Sequence, residues 1–210
     1  MTASAPLLSF KNLSYLANGP YSLDVWENET VGLTGPSGIG KTQLFRAIVD
    51  TLPHRGEVML SGRSSLSFPV TEWRKKIALV PAESVWWYES VGEHFQGQEN
   101  IQKAKIYLMQ LGFQEDVLNW QISRLSSGER QRLALVRSLL QDPVILLLDE
   151  PSSALDRNTT EKMEHLLQNF VQSKGTAMLI ISHDMEQLHR ISDRLFIVSS
   201  TGLEEMLVVS

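Results

Sequence analysis

Short apolar runs alternate along this chain with longer amphipathic stretches, and the pattern predicts most of its elements. Leu8–Tyr15, of mixed polarity, reads as a strand, and residues 21–26 as another. Thr30–Thr34 is a short apolar strand that runs straight into a glycine-rich segment at 35–42. A helix follows to about residue 49, with Leu44, Phe45 and Ile48 on its apolar face. Residues 56–60 and Ile77–Val80 are further strands. Helical patterning dominates from residue 91 to about 141. Residues 144–148 and Ala177–Ile181 are apolar at every position, the mark of strands buried on both faces, and a helix at 159–172 separates them. A short helix and a last strand pair, 195–198 and 206–209, complete the pattern.

Strands alternating with helices predict an α/β fold with a mostly parallel core sheet. The helix-rich interval reads as an insertion, giving a core of residues 1–84 and 142–210 and a helical subdomain of residues 85–141. Composition then narrows the choices. A chain of 210 residues with 42% hydrophobic residues suits one domain with a real core. The formal charge of -5 argues against broad nucleic-acid binding, which needs clustered cations, so no nucleic-acid partner is expected. With no cysteine, disulfides and thiolate metal sites are excluded. The histidines show no ligand-like pairing, and His54, His94 and His189 read as solvated surface residues. No apolar run approaches the roughly 20 residues that span a bilayer. Residues 1–10 lack a basic leader and Lys11 interrupts them, so a cytoplasmic product is expected, with any membrane role exerted through a partner.

The segment Gly35-Pro36-Ser37-Gly38-Ile39-Gly40-Lys41-Thr42 fits the G-x-x-x-x-G-K-[ST] phosphate-binding loop. Its glycines let the backbone turn N–H groups inward, and the following helix adds its positive N-terminal end. Lys41 would reach β- and γ-phosphates, and the Thr42 hydroxyl would hold Mg²⁺. At the end of the apolar strand before residue 149 stand two acids, Asp149 and Glu150, where ligands bind in open α/β sheets. Asp149 is placed for the Mg²⁺ shell, and Glu150 to polarise the attacking water as general base.

Leu125-Ser126-Ser127-Gly128-Glu129 lies shortly before that strand. Ser126 with Glu129 fits the S-x-x-E capping box, so a helix should begin here, with Leu133, Val136 and Leu140 as its buried stripe. The segment resembles the LSGGQ signature of ABC-type ATPases. Ser153-Ala154-Leu155-Asp156 is similar to their D-loop, and Ile181-Ser182-His183-Asp184 to their switch-histidine segment. Tyr15 falls where the family places an aromatic that stacks on adenine. These motifs follow the family's order over nearly the whole chain, from about Leu8 to Val198.

The resemblance implies a P-loop NTPase fold of the ABC type, with an antiparallel β portion beside the mostly parallel sheet and an inserted helical subdomain. It implies ATP and Mg²⁺ as ligands and a homodimer in the ATP-bound state. The signature residues Ser126, Ser127, Gly128 and Glu129 of one copy would then complete the site of the other. His183 would contact the γ-phosphate within its own subunit, and Asp156 would join the two sites. The function implied is ATP hydrolysis powering a separate integral membrane permease, with the chain peripheral on the inner face of the cell membrane. A non-transport ABC ATPase of DNA repair or the ribosome is the alternative reading. The sequence departs from the family at Ala82, where a glutamine usually contacts Mg²⁺. The adjacent Glu83 either takes over as a metal-shell residue or is a solvated loop acid. Beside it, Val85-Trp86-Trp87-Tyr88 either forms a socket for a partner's helix or packs the helical subdomain.

Overall fold

The structure is a computed structural model, and it describes residues 5–95 and 97–207. In chain order the first half contains β1 (Leu8–Tyr15), β2 (Asn18–Val25), β3 (Thr30–Thr34), α1 (Lys41–Ile48), β4 (Arg55–Leu60), β5 (Arg63–Ser64), α2 (Val70–Lys76) and β6 (Ile77–Val80). The second half contains α3 (Gln98–Gln110), α4 (Ser127–Leu139), β7 (Ile145–Asp149), α5 (Arg157–Lys174), β8 (Ala177–Ile181), α6 (Met185–Ile191), β9 (Arg194–Val198) and β10 (Leu203–Met206).

The strands form two sheets. One is antiparallel, in the order β2-β1-β4-β5. The other has six strands in the order β10-β9-β3-β8-β7-β6, parallel throughout except for β10 at its edge. The predicted α/β class with a mostly parallel core is what the chain adopts. β7 shows why the sequence selects this arrangement. It lies between β6 and β8, so both of its edges are paired, and every one of its residues is buried. Ile145 and Leu147 point into a core shared with the antiparallel sheet and α1. Leu146 and Leu148 point into a second core shared with α3, α4 and α5. Only a strand apolar at every position suits a sheet covered on both faces.

Helix ends are set by local chemistry. Asp156 caps α5 by accepting a hydrogen bond from Thr159 N, and Gly175 ends it in the left-handed conformation. Asp184 caps α6 in the same manner as Asp156.

Several boundaries differ from the sequence reading. The last strand is Leu203–Met206, not 206–209, of which residues 208 and 209 lie outside the described residues. Its pairing to β9 follows from the turn at 199–202, where Ser199 N donates to Gly202 O. α2 is an addition, two turns long with Trp73 as its one buried side chain, too short for periodicity to reveal. The start of the helical interval is irregular, with a single tight turn at Gly92–His94 before α3 begins.

Candidate functional site: a phosphate cradle and a separate capped turn

β3 delivers the glycine-rich loop to the carboxyl edge of the parallel sheet, and α1 leaves from it. Gly40 precedes α1 with φ 100° and offers no side-chain cap to the helix. The conformation requires glycine, and a Cβ there would also lie 2.5 Å from Asn18 Nδ2 and push that side chain aside. The uncapped N–H groups of the first turn are then free for an anion. Lys41 Nζ donates to Gly35 O at 2.7 Å and Pro36 O at 3.1 Å. Burial lowers the Lys41 pKa, opposed by the charges of Glu150 and Asp149.

The Thr42 hydroxyl donates to Asp149 Oδ2 at 2.9 Å across the α1–β7 boundary. This pair brings two hard oxygen groups together, and such oxygens suit Mg²⁺, which takes few protein ligands and keeps phosphate and water for the rest. Burial raises the Asp149 pKa, against the Thr42 hydrogen bond and the charges of Arg46 and Lys41. Glu150 follows with φ 51°, left-handed for a residue with a side chain and directly before Pro151. Such a backbone costs on the order of 1–3 kcal/mol. Its Oε1 lies 3.2 Å from His183 Nε2. That oxygen makes no hydrogen bond of good geometry, and the imidazole is its close polar neighbour. Burial pushes the Glu150 carboxyl up, with His183 and Lys41 pulling the other way. Lys41, Thr42, Gln43, Asp149, Glu150 and His183 all line one cavity of about 310 Å³.

The signature segment stands apart from that cavity, and none of its residues lines it. The capping box is formed in full. Ser126 Oγ accepts from Glu129 N at 3.2 Å, and Glu129 Oε2 accepts from Ser126 N at 2.8 Å. Ser126 and Ser127 are exposed, while Gly128 is buried against the segment after β7. A Cβ on Gly128 would come within 2.6 Å of Ala154 O. Asp156 is exposed, and its bonds to Thr159 hold its pKa down.

Two expectations change, those for Tyr15 and His94, and of the two readings of Glu83 its exposure fits the solvated loop acid. Tyr15 does not offer a face to adenine. It is 2% exposed, its ring stacks on Tyr21 with centroids 5.5 Å apart, and its hydroxyl donates to Gly40 O at 3.0 Å. It props the phosphate loop from beneath, because Leu13 and Tyr15 share the inward face of β1. Glu83 is exposed and is not among the cavity's lining residues. His94 is buried rather than solvated. Its Nδ1 lies 3.0 Å from Ser90 O, so that nitrogen carries the proton, and Nε2 accepts from Trp87 N and Tyr88 N, each at 3.2 Å. Burial lowers the His94 pKa and keeps the ring neutral. The aromatic run itself divides. Trp86 packs on the core, but Val85, Trp87 and Tyr88 are 71%, 62% and 42% exposed.

A strand–loop–helix cradle with Lys41, Thr42 and a neighbouring-strand Asp149 defines a P-loop nucleotide site. Residues 19–153 match the family model described as ABC transporter, and the chain belongs to that family. It is 34% identical over 180 residues to the aliphatic sulfonates import ATP-binding protein SsuB 3 of Paraburkholderia xenovorans (strain LB400), covering 85% of this chain and 69% of that protein. It is 30% identical over 215 residues to the spermidine/putrescine import ATP-binding protein PotA of Spiroplasma citri, covering 95% of this chain and 61% of that one. The chain thus spans about two thirds of the length of these relatives. Among solved structures, the dimeric MJ0796, a bacterial ABC transporter cassette, matches with a TM-score of 0.85 at 24% identity, over 97% of this chain and 99% of that one. The last likeness is one of fold.

Proposed function

We propose that this chain is the ATP-binding and ATP-hydrolysing subunit of an ABC transporter, working as a homodimer and driving a separate membrane permease. The observation that carries the reading is the division of the site. The cradle and carboxylates converge on one cavity, while the capped Ser126 turn faces elsewhere on the same chain. One copy therefore holds two halves that do not meet, and a second copy facing it supplies the missing half to each cavity.

Within that site Lys41 turns from Gly35 O and Pro36 O to the β- and γ-phosphates, and the α1 N–H groups take the remaining phosphate oxygens. Thr42 and Asp149 would hold Mg²⁺, which neutralises charge on the phosphate oxygens when bound. Glu150 orients the attacking water and accepts its proton. Its raised pKa suits a base working nearer neutrality. His183, beside Glu150, steadies the γ-phosphate. Ser126 and the α4 N-terminus of the facing copy close over the same phosphate. Asp156, exposed beyond Gly128, stands where the two copies would meet.

The import names of both relatives support import, and they support transport over DNA repair or ribosome work. Among the described residues no helix is long and apolar enough to cross a membrane, which agrees with a peripheral place on the inner membrane face beside a permease. The exposed Val85, Trp87 and Tyr88 are where we place the permease contact.

The test is Glu150→Gln with ATP and Mg²⁺, followed by light scattering. A dimer mass that reverts on washing out ATP is expected. A monomer at saturating ATP would sink the composite site. Recovery of the tagged chain with a multi-span membrane protein is the matching test for transport, and recovery only with ribosomes or DNA would overturn it.

A further inference from the structure

Gln131 lies one turn into α4, buried, and reaches away from its own helix. Its Nε2 donates to Glu150 O at 2.6 Å and to Ser153 Oγ at 3.3 Å, and its Oε1 accepts from Ala154 N at 3.4 Å. All three partners belong to the turn that follows β7. Gln131 does not itself line the phosphate cavity.

Glu150 needs such help. Its φ of 51° crowds its Cβ against the backbone, and the following Pro151 disfavours a helical conformation at the residue before it. A backbone opposed twice persists only where its neighbours over-determine it. Glu150 N donates to Ile181 O at 3.0 Å, which fixes one end to β8. Glu150 O receives Ser153 N at 3.2 Å from within the turn. The shortest bond to that carbonyl comes from Gln131, anchored in a helix and therefore independent of the turn's own motion.

We propose that Gln131 is a positioning residue, whose carboxamide holds the Glu150 backbone in the left-handed conformation that aims its carboxylate into the cavity. The inference rests on the reading of Glu150 as general base. It also ties that base to the helix opened by Ser126, so the two halves of the site within one chain share a buried hydrogen-bonded link beside the Gly128–Ala154 contact.

Two variants separate positioning from packing. Gln131→Met keeps volume but has no donor and only a weak thioether acceptor. Gln131→Glu keeps shape and the acceptor, and regains a donor only when protonated. Steady-state ATPase against ATP concentration is measured for parent and variants from mildly acidic to mildly alkaline pH. Gln131→Met should lose about tenfold or more in kcat, as expected for a displaced reacting group, with KM little changed. Gln131→Glu should match that loss at neutral pH. Its rate relative to the parent should recover as pH falls, because the O–H then donates to Glu150 O, while Gln131→Met stays flat relative to the parent. With an active parent, either a Gln131→Met kcat within about twofold of it or the same pH dependence in both variants overturns the inference. If Gln131→Met does not fold, the Gln131→Glu pH profile alone decides. A parent without turnover overturns the functional reading, and this inference with it.

Discussion

Two helix N-termini face the surface with opposite preparations. α1 begins after Gly40, with no side chain over its first turn, so its N–H groups are left for a ligand. α4 begins after Ser126, and Ser126 and Glu129 satisfy each other across its mouth. The first end is built to be completed by phosphate. The second is complete by itself and, on the proposed reading, shares Ser126 with the phosphate held by a facing copy. A site intended to open and close gains from that asymmetry, because the half that lets go is stable alone.

The largest effect should come from Lys41→Ala, which removes the buried cation of the cradle. ATP binding, followed by fluorescent-analogue titration, should fall at least about a hundredfold, the scale of losing a close charge partner to phosphate. Gly40→Val comes next, since a side chain there meets both a positive φ and Asn18. ATP affinity should drop about five- to a hundredfold, a cost of about 1–3 kcal/mol, while far-UV circular dichroism is retained. Ser126→Ala should leave ATP binding by the isolated chain unchanged, lower stability by about 1 kcal/mol in urea melts, and weaken the ATP-dependent dimer. Loss of binding in the monomer would show that the two ends are not separate. The smallest effect belongs to Tyr15→Phe. It removes one bond to Gly40 O, about 0.5–1.5 kcal/mol, and spares adenine affinity because the ring is buried.

A pH profile sharpens the cradle side. The Glu150 carboxyl is raised above its ordinary 4.5, chiefly by burial. The base form is therefore lost at a higher pH than an exposed glutamate would lose it. ATPase activity should decline, as pH falls, through a range above the ordinary glutamate value. Activity flat to below that value would remove Glu150 as the base.

What the sequence revealed followed from local rules. The loop at 35–42, the paired acids and the capping box are written in adjacent residues, and each forms where spacing placed it. The doubly apolar strands declared a sheet covered on both sides. What stayed hidden depends on distant neighbours. Tyr15 looks available until β1 takes its place in the antiparallel sheet beneath the loop. His94 looks solvated until two backbone N–H groups from residues 87 and 88 fold onto its ring. In the aromatic run Trp86 packs on the core, as one alternative had it, while Val85, Trp87 and Tyr88 stay exposed. Gln131 carries no signal at all, because an interior glutamine on a helix resembles any polar surface position until its partners are seen.

The close approach at Gly128 has a genetic corollary. Because one absent methyl lets the start of α4 rest on Ala154, the face proposed to meet a second copy is assembled from two separate stretches of chain. Substitutions that enlarge residue 128 and those that shift the backbone at 154 should give one shared defect in pairing, and suppressors of either should map to the other.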